Sequence, residues 1–216
     1  MGLIYPDKCV LCGETLPLDA GKAMVCAACA GEVRQKYRCA ETVRIDDADG
    51  AAAPLYYTGK VSGAMQRLKF HHKQHYADWF AAQTLPLLTE RLDRWQPDLI
   101  TYMPIGPLRW YQRGYNQAEL IARKIAEPLG LPCRAALDKR LFSRRQSRQQ
   151  GLAARQKNVE HAFLPAKGVD LGGLSVVLVD DIITTGSSAA SAVKILRQMG
   201  AARVYVLAST LARQKR

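Results

Sequence analysis

The stretch Val176-Val177-Leu178-Val179-Asp180-Asp181-Ile182-Ile183-Thr184-Thr185-Gly186-Ser187-Ser188 decides how the chain is read. Leu174 to Val179 is a short apolar run, the pattern of a strand buried on both faces of a parallel sheet. Two carboxylates leave its end, and a loop of small residues leads into a helical stretch, Ser187 to Met199, closed by Gly200. Arg203 to Ser209 follows as another strand, so the order is strand, helix, strand. Such units build a doubly wound parallel sheet whose ligands lie at the carboxyl ends of the strands. Each part of the turn has a physical use. Backbone N–H groups and the hydroxyls of Thr184, Thr185, Ser187 and Ser188 can wrap a phosphate, Gly186 permits close approach, and the helix dipole favours an anion. Asp180 and Asp181 can accept hydrogen bonds from vicinal ribose hydroxyls.

Working outward, Asp98 to Met103, bracketed by Pro97 and Pro104, is predicted as a second buried strand. Ala118, Ile121, Ala122, Ile125 and Leu129 mark one face of a helix that Asn116 is placed to cap, with Glu119 three residues on and Gly130 at the exit. Leu55 to Thr58 reads as a short strand, and Val61, Met65 and Leu68 fall at helical spacing. A helical stretch from Tyr76 to Trp95 is expected to kink or split at Pro86. Composition shifts along Asp46 to Pro54, which places a boundary between a small segment, residues 1–50, and an α/β domain, residues 51–216.

Other readings of the acidic turn compete. An apolar strand ending in two aspartates also occurs in nucleotidases, but the chain has no GxxxxGK[ST] loop to hold the phosphates. A purely structural turn would leave two charges at a buried strand end without a partner.

Cys9-Val10-Leu11-Cys12 and Cys26-Ala27-Ala28-Cys29 are two CxxC knuckles at the spacing of a four-cysteine zinc ribbon. Each pair offers two thiolates to one tetrahedral ion, and metal binding would supply the folding free energy of so small a segment. A redox CxxC would open a helix after a strand of thioredoxin type, and none precedes these knuckles. Cys39 and Cys133 are expected to be unligated thiols. His71 and His75 are expected to stand one helical turn apart, a spacing that can bind metal, but they lack acidic or cysteine neighbours, so they read as part of a solvated basic face.

The 216 residues are 48% hydrophobic and 23% charged, as in a folded globular protein. No apolar stretch approaches membrane-spanning length and the N-terminus lacks a signal-peptide pattern, so a cytoplasmic protein without membrane insertion is expected. The net charge of +12 is uneven: residues 1–60 hold seven Lys/Arg against eight Asp/Glu, leaving 24 against 11 for the rest. That surface suits nucleic acid or a phosphate-rich small molecule, and charge alone does not choose. Residues 139–158 carry Lys139, Arg140, Arg144, Arg145, Arg148, Arg155 and Lys157 with no acid.

From Val176 to Ser188 the sequence resembles the phosphoribosyl-pyrophosphate signature of type I phosphoribosyltransferases. The resemblance implies that Asp180 and Asp181 hold the ribose hydroxyls, that Thr184, Thr185, Gly186, Ser187 and Ser188 hold the 5-phosphate, and that Mg²⁺ neutralises the pyrophosphate. Arg113-Gly114-Tyr115-Asn116-Gln117-Ala118, Arg145-Gln146 with Asn158, and the cysteine ribbon together look like the ComF/GntX family, a likeness that covers nearly the whole chain. It implies a type I phosphoribosyltransferase-like doubly wound parallel sheet with a small N-terminal zinc ribbon, structural zinc on Cys9, Cys12, Cys26 and Cys29, and a role in DNA uptake during natural transformation. Two departures stand out: Tyr115 replaces a common Phe, and Cys39 lacks a CxxC mate.

By the same resemblance the turn from Met103 to Leu108 faces the pyrophosphate, with Arg109, Arg113 and Arg145 as its ligands. Guanidinium groups suit diphosphate oxygens and DNA phosphates alike. Two functions follow as expectations. One is a phosphoribosyl-pyrophosphate-binding protein acting with single-stranded DNA or a DNA-translocating partner. The other is an active Mg²⁺-dependent phosphoribosyltransferase with a nucleobase or other small acceptor. No catalytic residue is assigned.

Overall fold

The computed structural model describes residues 7–17, 23–140 and 162–213. Its core is the run Val176, Val177, Leu178 and Val179, fully buried between neighbours on both sides. Five strands form the parallel sheet: β1 (Gly50–Ala52), β2 (Leu55–Tyr56), β3 (Leu99–Tyr102), β6 (Ser175–Ile183) and β7 (Arg203–Leu211). A separate antiparallel hairpin pairs β4 (Leu137–Lys139) with β5 (Phe163–Pro165). Across the main sheet the order is β1, β7, β6, β3, with β2 also pairing β7.

The helices are α1 (Ala27–Glu32), α2 (Gly59–Phe70), α3 (Tyr76–Thr89), α4 (Leu92–Trp95), α5 (Pro107–Arg113), α6 (Gln117–Ala126) and α7 (Ser187–Gln198). From β3 the chain passes through α6 to a parallel bridge, Ile100 with Cys133, on the outer side of β3. From β6 it passes through α7 to β7 in the opposite direction. Right-handed crossovers therefore place α6 and α7 on opposite faces, and the gap between the ends of β3 and β6 is the switch point at which doubly wound sheets bind ligands. The expected parallel α/β architecture is present. Among the described residues no helix is long and apolar enough to cross a membrane.

Three local expectations are corrected. First, β6 does not end at Val179. It continues to Ile183, with Asp180 opposite Ala208 and Ile183 opposite Leu211, because β7 is long enough to keep pairing it. Second, the helix does not split at Pro86 but runs to Thr89 and breaks before Leu92. Ala82, whose carbonyl Pro86 leaves without a donor, is exposed, so water can satisfy it, while Trp79, Phe80 and Leu88 hold the helix to the core. Third, His71 and His75 are not one helical turn apart. They flank the loop between α2 and α3, in which His72 has φ 53°. The predicted cap of α6 is present: the Asn116 side chain accepts from Ala118 N at 3.0 Å.

Candidate functional site

Gly186 shows why the turn has its sequence. Its φ is +83°, in the left-handed region, and a Cβ there would stand 2.7 Å from Ile45 Cδ1. Only glycine fits without strain. The loop it closes delivers the chain into α7, and next to it opens a cleft of about 480 Å³ between the ends of β3 and β6.

Of the residues singled out in the sequence, Asp180, Asp181, Thr184, Gly186, Ser188, Arg109 and Arg113 all line this cleft. Thr185 lines a neighbouring hollow with Arg44 and Arg213 instead. Ser187 is turned toward Thr185, their hydroxyls 2.6 Å apart. Arg145 and most of the basic run lie outside the described residues. The cleft also contains residues that the sequence did not single out as ligands: Lys69 and Phe70 from the last turn of α2, Lys139 at the end of β4, and Phe163 in β5.

The acidic pair is asymmetric. Burial, and then the neighbouring Asp181 carboxylate, push the Asp180 carboxyl up to about 8. Asp180 therefore holds its proton to higher pH than a free carboxyl, and in that form it can donate as well as accept toward a hydroxyl. Asp181 has a cation of its own, with Lys69 Nζ 2.9 Å from its Oδ2 and both side chains mostly buried. Burial and the Arg109 charge lower the Lys139 ammonium, while Asp180 works the other way. Its amine lies 5.6 Å from the centre of the Phe163 ring. Arg113 stacks over Phe70 at 4.7 Å and donates to Gln117 Oε1 at 3.0 Å.

The segment Arg113 to Ala118 is also a strut. Asn116 Nδ2 donates to Met103 O at 2.9 Å, which ties the loop after β3 to the start of α6. The Tyr115 hydroxyl donates to Leu68 O, which ties the same segment to α2. Two carboxyl groups, the loop leading into α7 and four cations, Lys69, Arg109, Arg113 and Lys139, thus line a single cavity, a lining that can hold an anion bearing hydroxyl groups.

In the N-terminal segment the ligand atoms of Cys9, Cys12, Cys26 and Cys29 lie within 4.8 Å of one another. Four thiolates around a tetrahedral zinc ion would stand about 3.8 Å apart, so a small contraction closes the site. The Cys26 N–H donates to Cys9 Sγ at 3.4 Å, and Lys60 Nζ approaches Cys29 Sγ at 3.8 Å. The donor set fits a metal such as zinc. Cys39 and Cys133 stand apart from this cluster.

No protein-family model matches the chain. DNA utilization protein YhgH of Salmonella typhimurium is 28% identical over 226 aligned positions, spanning 94% of this chain and 96% of that protein. Competence protein F of Haemophilus influenzae is 32% identical over 158 residues, 70% of this chain and 68% of its own length. Among solved structures, the purine phosphoribosyltransferase from Pyrococcus horikoshii covers 62% of this chain and 73% of its own at 18% identity. The TM-score of that match is 0.41.

Proposed function

The chain belongs to the competence protein F family, and on that premise we propose that its cleft binds phosphoribosyl pyrophosphate, in a cytoplasmic protein that serves DNA uptake in natural transformation. The observation that carries this reading is the meeting, in one cavity, of Asp180, Asp181, Thr184, Gly186 and Ser188 with Arg109, Arg113 and Lys139. The carboxyls take the ribose hydroxyls, and the loop and the start of α7 take the 5-phosphate. The arginines and Lys139 take the diphosphate, with Arg145 assigned to the same side by sequence resemblance. Mg²⁺ would supply charge neutralisation on the diphosphate. Residues 1–50 form the zinc segment, with Cys9, Cys12, Cys26 and Cys29 as ligands, and residues 51–216 the ligand-binding domain.

The DNA role is supported by α5, none of whose residues is buried. Leu108, Trp110 and Tyr111 are 65%, 59% and 85% exposed, and Arg109 and Arg113 of the same helix line the cleft. Aromatic faces beside guanidinium groups suit single-stranded DNA, which offers bases to stack and phosphates to pair. A DNA-translocating protein is the expected partner in the cell. The second reading, phosphoribosyl transfer to a nucleobase, is favoured by Phe70, an aromatic residue that lines the cleft and is 62% exposed. In that reaction an acceptor would displace diphosphate at the anomeric carbon, with these side chains positioning the donor and stabilising the leaving charge.

Calorimetry with phosphoribosyl pyrophosphate and Mg²⁺ tests the cleft. Asp180→Ala with Asp181→Ala should abolish measurable binding, and an unchanged affinity sinks the assignment. Pyrophosphate release in the presence of candidate bases or DNA separates a transferase from a binding protein.

A further inference from the structure

Helix α2 lies between the four-cysteine segment and the cleft, and it touches both through neighbouring residues. Positions two apart on a helix project about 200° apart around its axis, so Arg67 and Lys69 leave nearly opposite sides of one turn. Arg67 reaches the cysteine segment. Its Nη2 donates to Val10 O and Leu11 O, each at 2.9 Å, the two carbonyls inside the Cys9 to Cys12 knuckle. Its Nε is buried without a partner, and its guanidinium lies 5.7 Å from the centre of the Tyr76 ring. Among the described residues no carboxylate pairs with it, so the knuckle carbonyls are its chief polar anchor. At the start of α2, Lys60 Nζ is 3.0 Å from Glu32 Oε2 and 3.8 Å from Cys29 Sγ. Both knuckles are thus clamped to the one helix.

The opposite side of α2 forms a wall of the cleft. Lys69 pairs with Asp181 at 2.9 Å, Phe70 lies under Arg113, and Leu68 O accepts from Tyr115. A CxxC knuckle presents its inner carbonyls in a fixed direction only while both sulfurs are held, and in a segment this small the metal supplies that constraint. We propose that the cysteine segment is a positioning element for the cleft, acting through α2. With metal bound, Val10 and Leu11 hold Arg67, and α2 in turn sets Lys69 against Asp181 and Phe70 against Arg113. Metal loss frees Arg67 and loosens that wall. Arg67 is a positioning residue here, remote from the ligand. The ligand half of the inference rests on the cleft being the phosphoribosyl-pyrophosphate site.

Hydrogen exchange read by mass spectrometry tests the coupling, on zinc-loaded protein, chelator-stripped protein and zinc-loaded Arg67→Met. Exchange is followed at residues 66–70 and 113–117, with strands 175–183 and 203–211 as controls for global unfolding. Calorimetry with phosphoribosyl pyrophosphate and Mg²⁺ is run on the same samples. Stripping and Arg67→Met should both raise exchange at 66–70 and 113–117 while the strands stay protected. Both should weaken ligand binding about tenfold, within the range of coupling between two sites, although Arg67→Met keeps its zinc. Unchanged exchange at 66–70 after stripping overturns the proposal, as does Arg67→Met with wild-type exchange and affinity. If Arg67→Met does not fold, Lys60→Met loosens the other clamp and is judged by the same two readouts. Failure of zinc-loaded wild type to bind the ligand rejects the cleft reading alone, and the exchange data still decide the coupling.

Discussion

Replacing Gly186 with alanine puts a number on the contact between the phosphate-type loop and the N-terminal segment. Two penalties combine at this position. The left-handed backbone, φ +83°, costs a residue with a Cβ about 1–2 kcal/mol. The new methyl also meets Ile45 Cδ1 at 2.7 Å, and moving that flexible end off its rotamer adds about 0.5–1.5 kcal/mol. The sum is about 1.5–3.5 kcal/mol, or roughly 3–14 °C in Tm for a chain of this length. Gly130 provides the control within the same protein, because its φ is +63° and nothing lies within 4 Å of a Cβ there. Gly130→Ala should therefore carry only the backbone penalty, and the difference between the two variants isolates the Ile45 contact. Urea unfolding with unchanged m-values measures both. Because Gly186 also closes the loop beside the cleft, Gly186→Ala should weaken phosphoribosyl-pyrophosphate binding while Gly130→Ala leaves it intact. The reasoning is refuted if Gly186→Ala unfolds at the same urea midpoint as Gly130→Ala, for then Ile45 does not press on the loop.

Asp180 predicts a pH dependence of definite sign. Its carboxyl rises from 3.8 to about 8 in the fold, so across that window the folded state holds a proton that the unfolded state has released. Stability from this group therefore falls as pH rises from about 4 to about 8, by at most about 1.4 kcal/mol per unit. Asp180→Asn should gain stability relative to wild type over the same interval in thermal melts, and a difference that stays flat with pH contradicts the assignment. Trp110→Ala with Tyr111→Ala should weaken single-stranded DNA binding by about 1–3 kcal/mol per stacked base. Filter binding or anisotropy reads that loss, phosphoribosyl-pyrophosphate affinity should stay put, and unaltered DNA affinity removes α5 from the interface.

Much of this architecture was legible where one residue answers to one local rule. Val176 to Val179 could be little other than a doubly buried strand, and Asn116 caps α6 as its spacing to Ala118 predicts. The paired CxxC knuckles likewise announced four sulfurs brought together. Helix α5 escaped notice because it buries no residue, so it has no apolar period to detect. The length of β6 escaped because two charges look like a strand end in one sequence, whereas the length of β7 decides it. Lys69 and Lys139 entered the cleft through tertiary convergence. Lys69 did carry a faint signal, since it stands four residues after Met65 on an apolar helix stripe, where a charge needs a partner.

Because β6 runs on to Ile183, Asp180 and Asp181 belong to the sheet ladder, with Thr210 Oγ1 donating to Asp181 O at 2.9 Å, and their backbones are ordered before any ligand arrives. Fixing a free residue takes about 1–2 kcal/mol of conformational entropy, and at this end folding has already met it. On the proposed reading a ribose would be met by this rigid edge, whereas the phosphate of the same sugar would meet the loop beyond Ile183, which the ladder does not pair. Truncated ligands should register this asymmetry as heat and disorder. Ribose hydroxyls should add affinity with little entropic penalty, and the 5-phosphate should bind with a larger enthalpy partly offset by ordering.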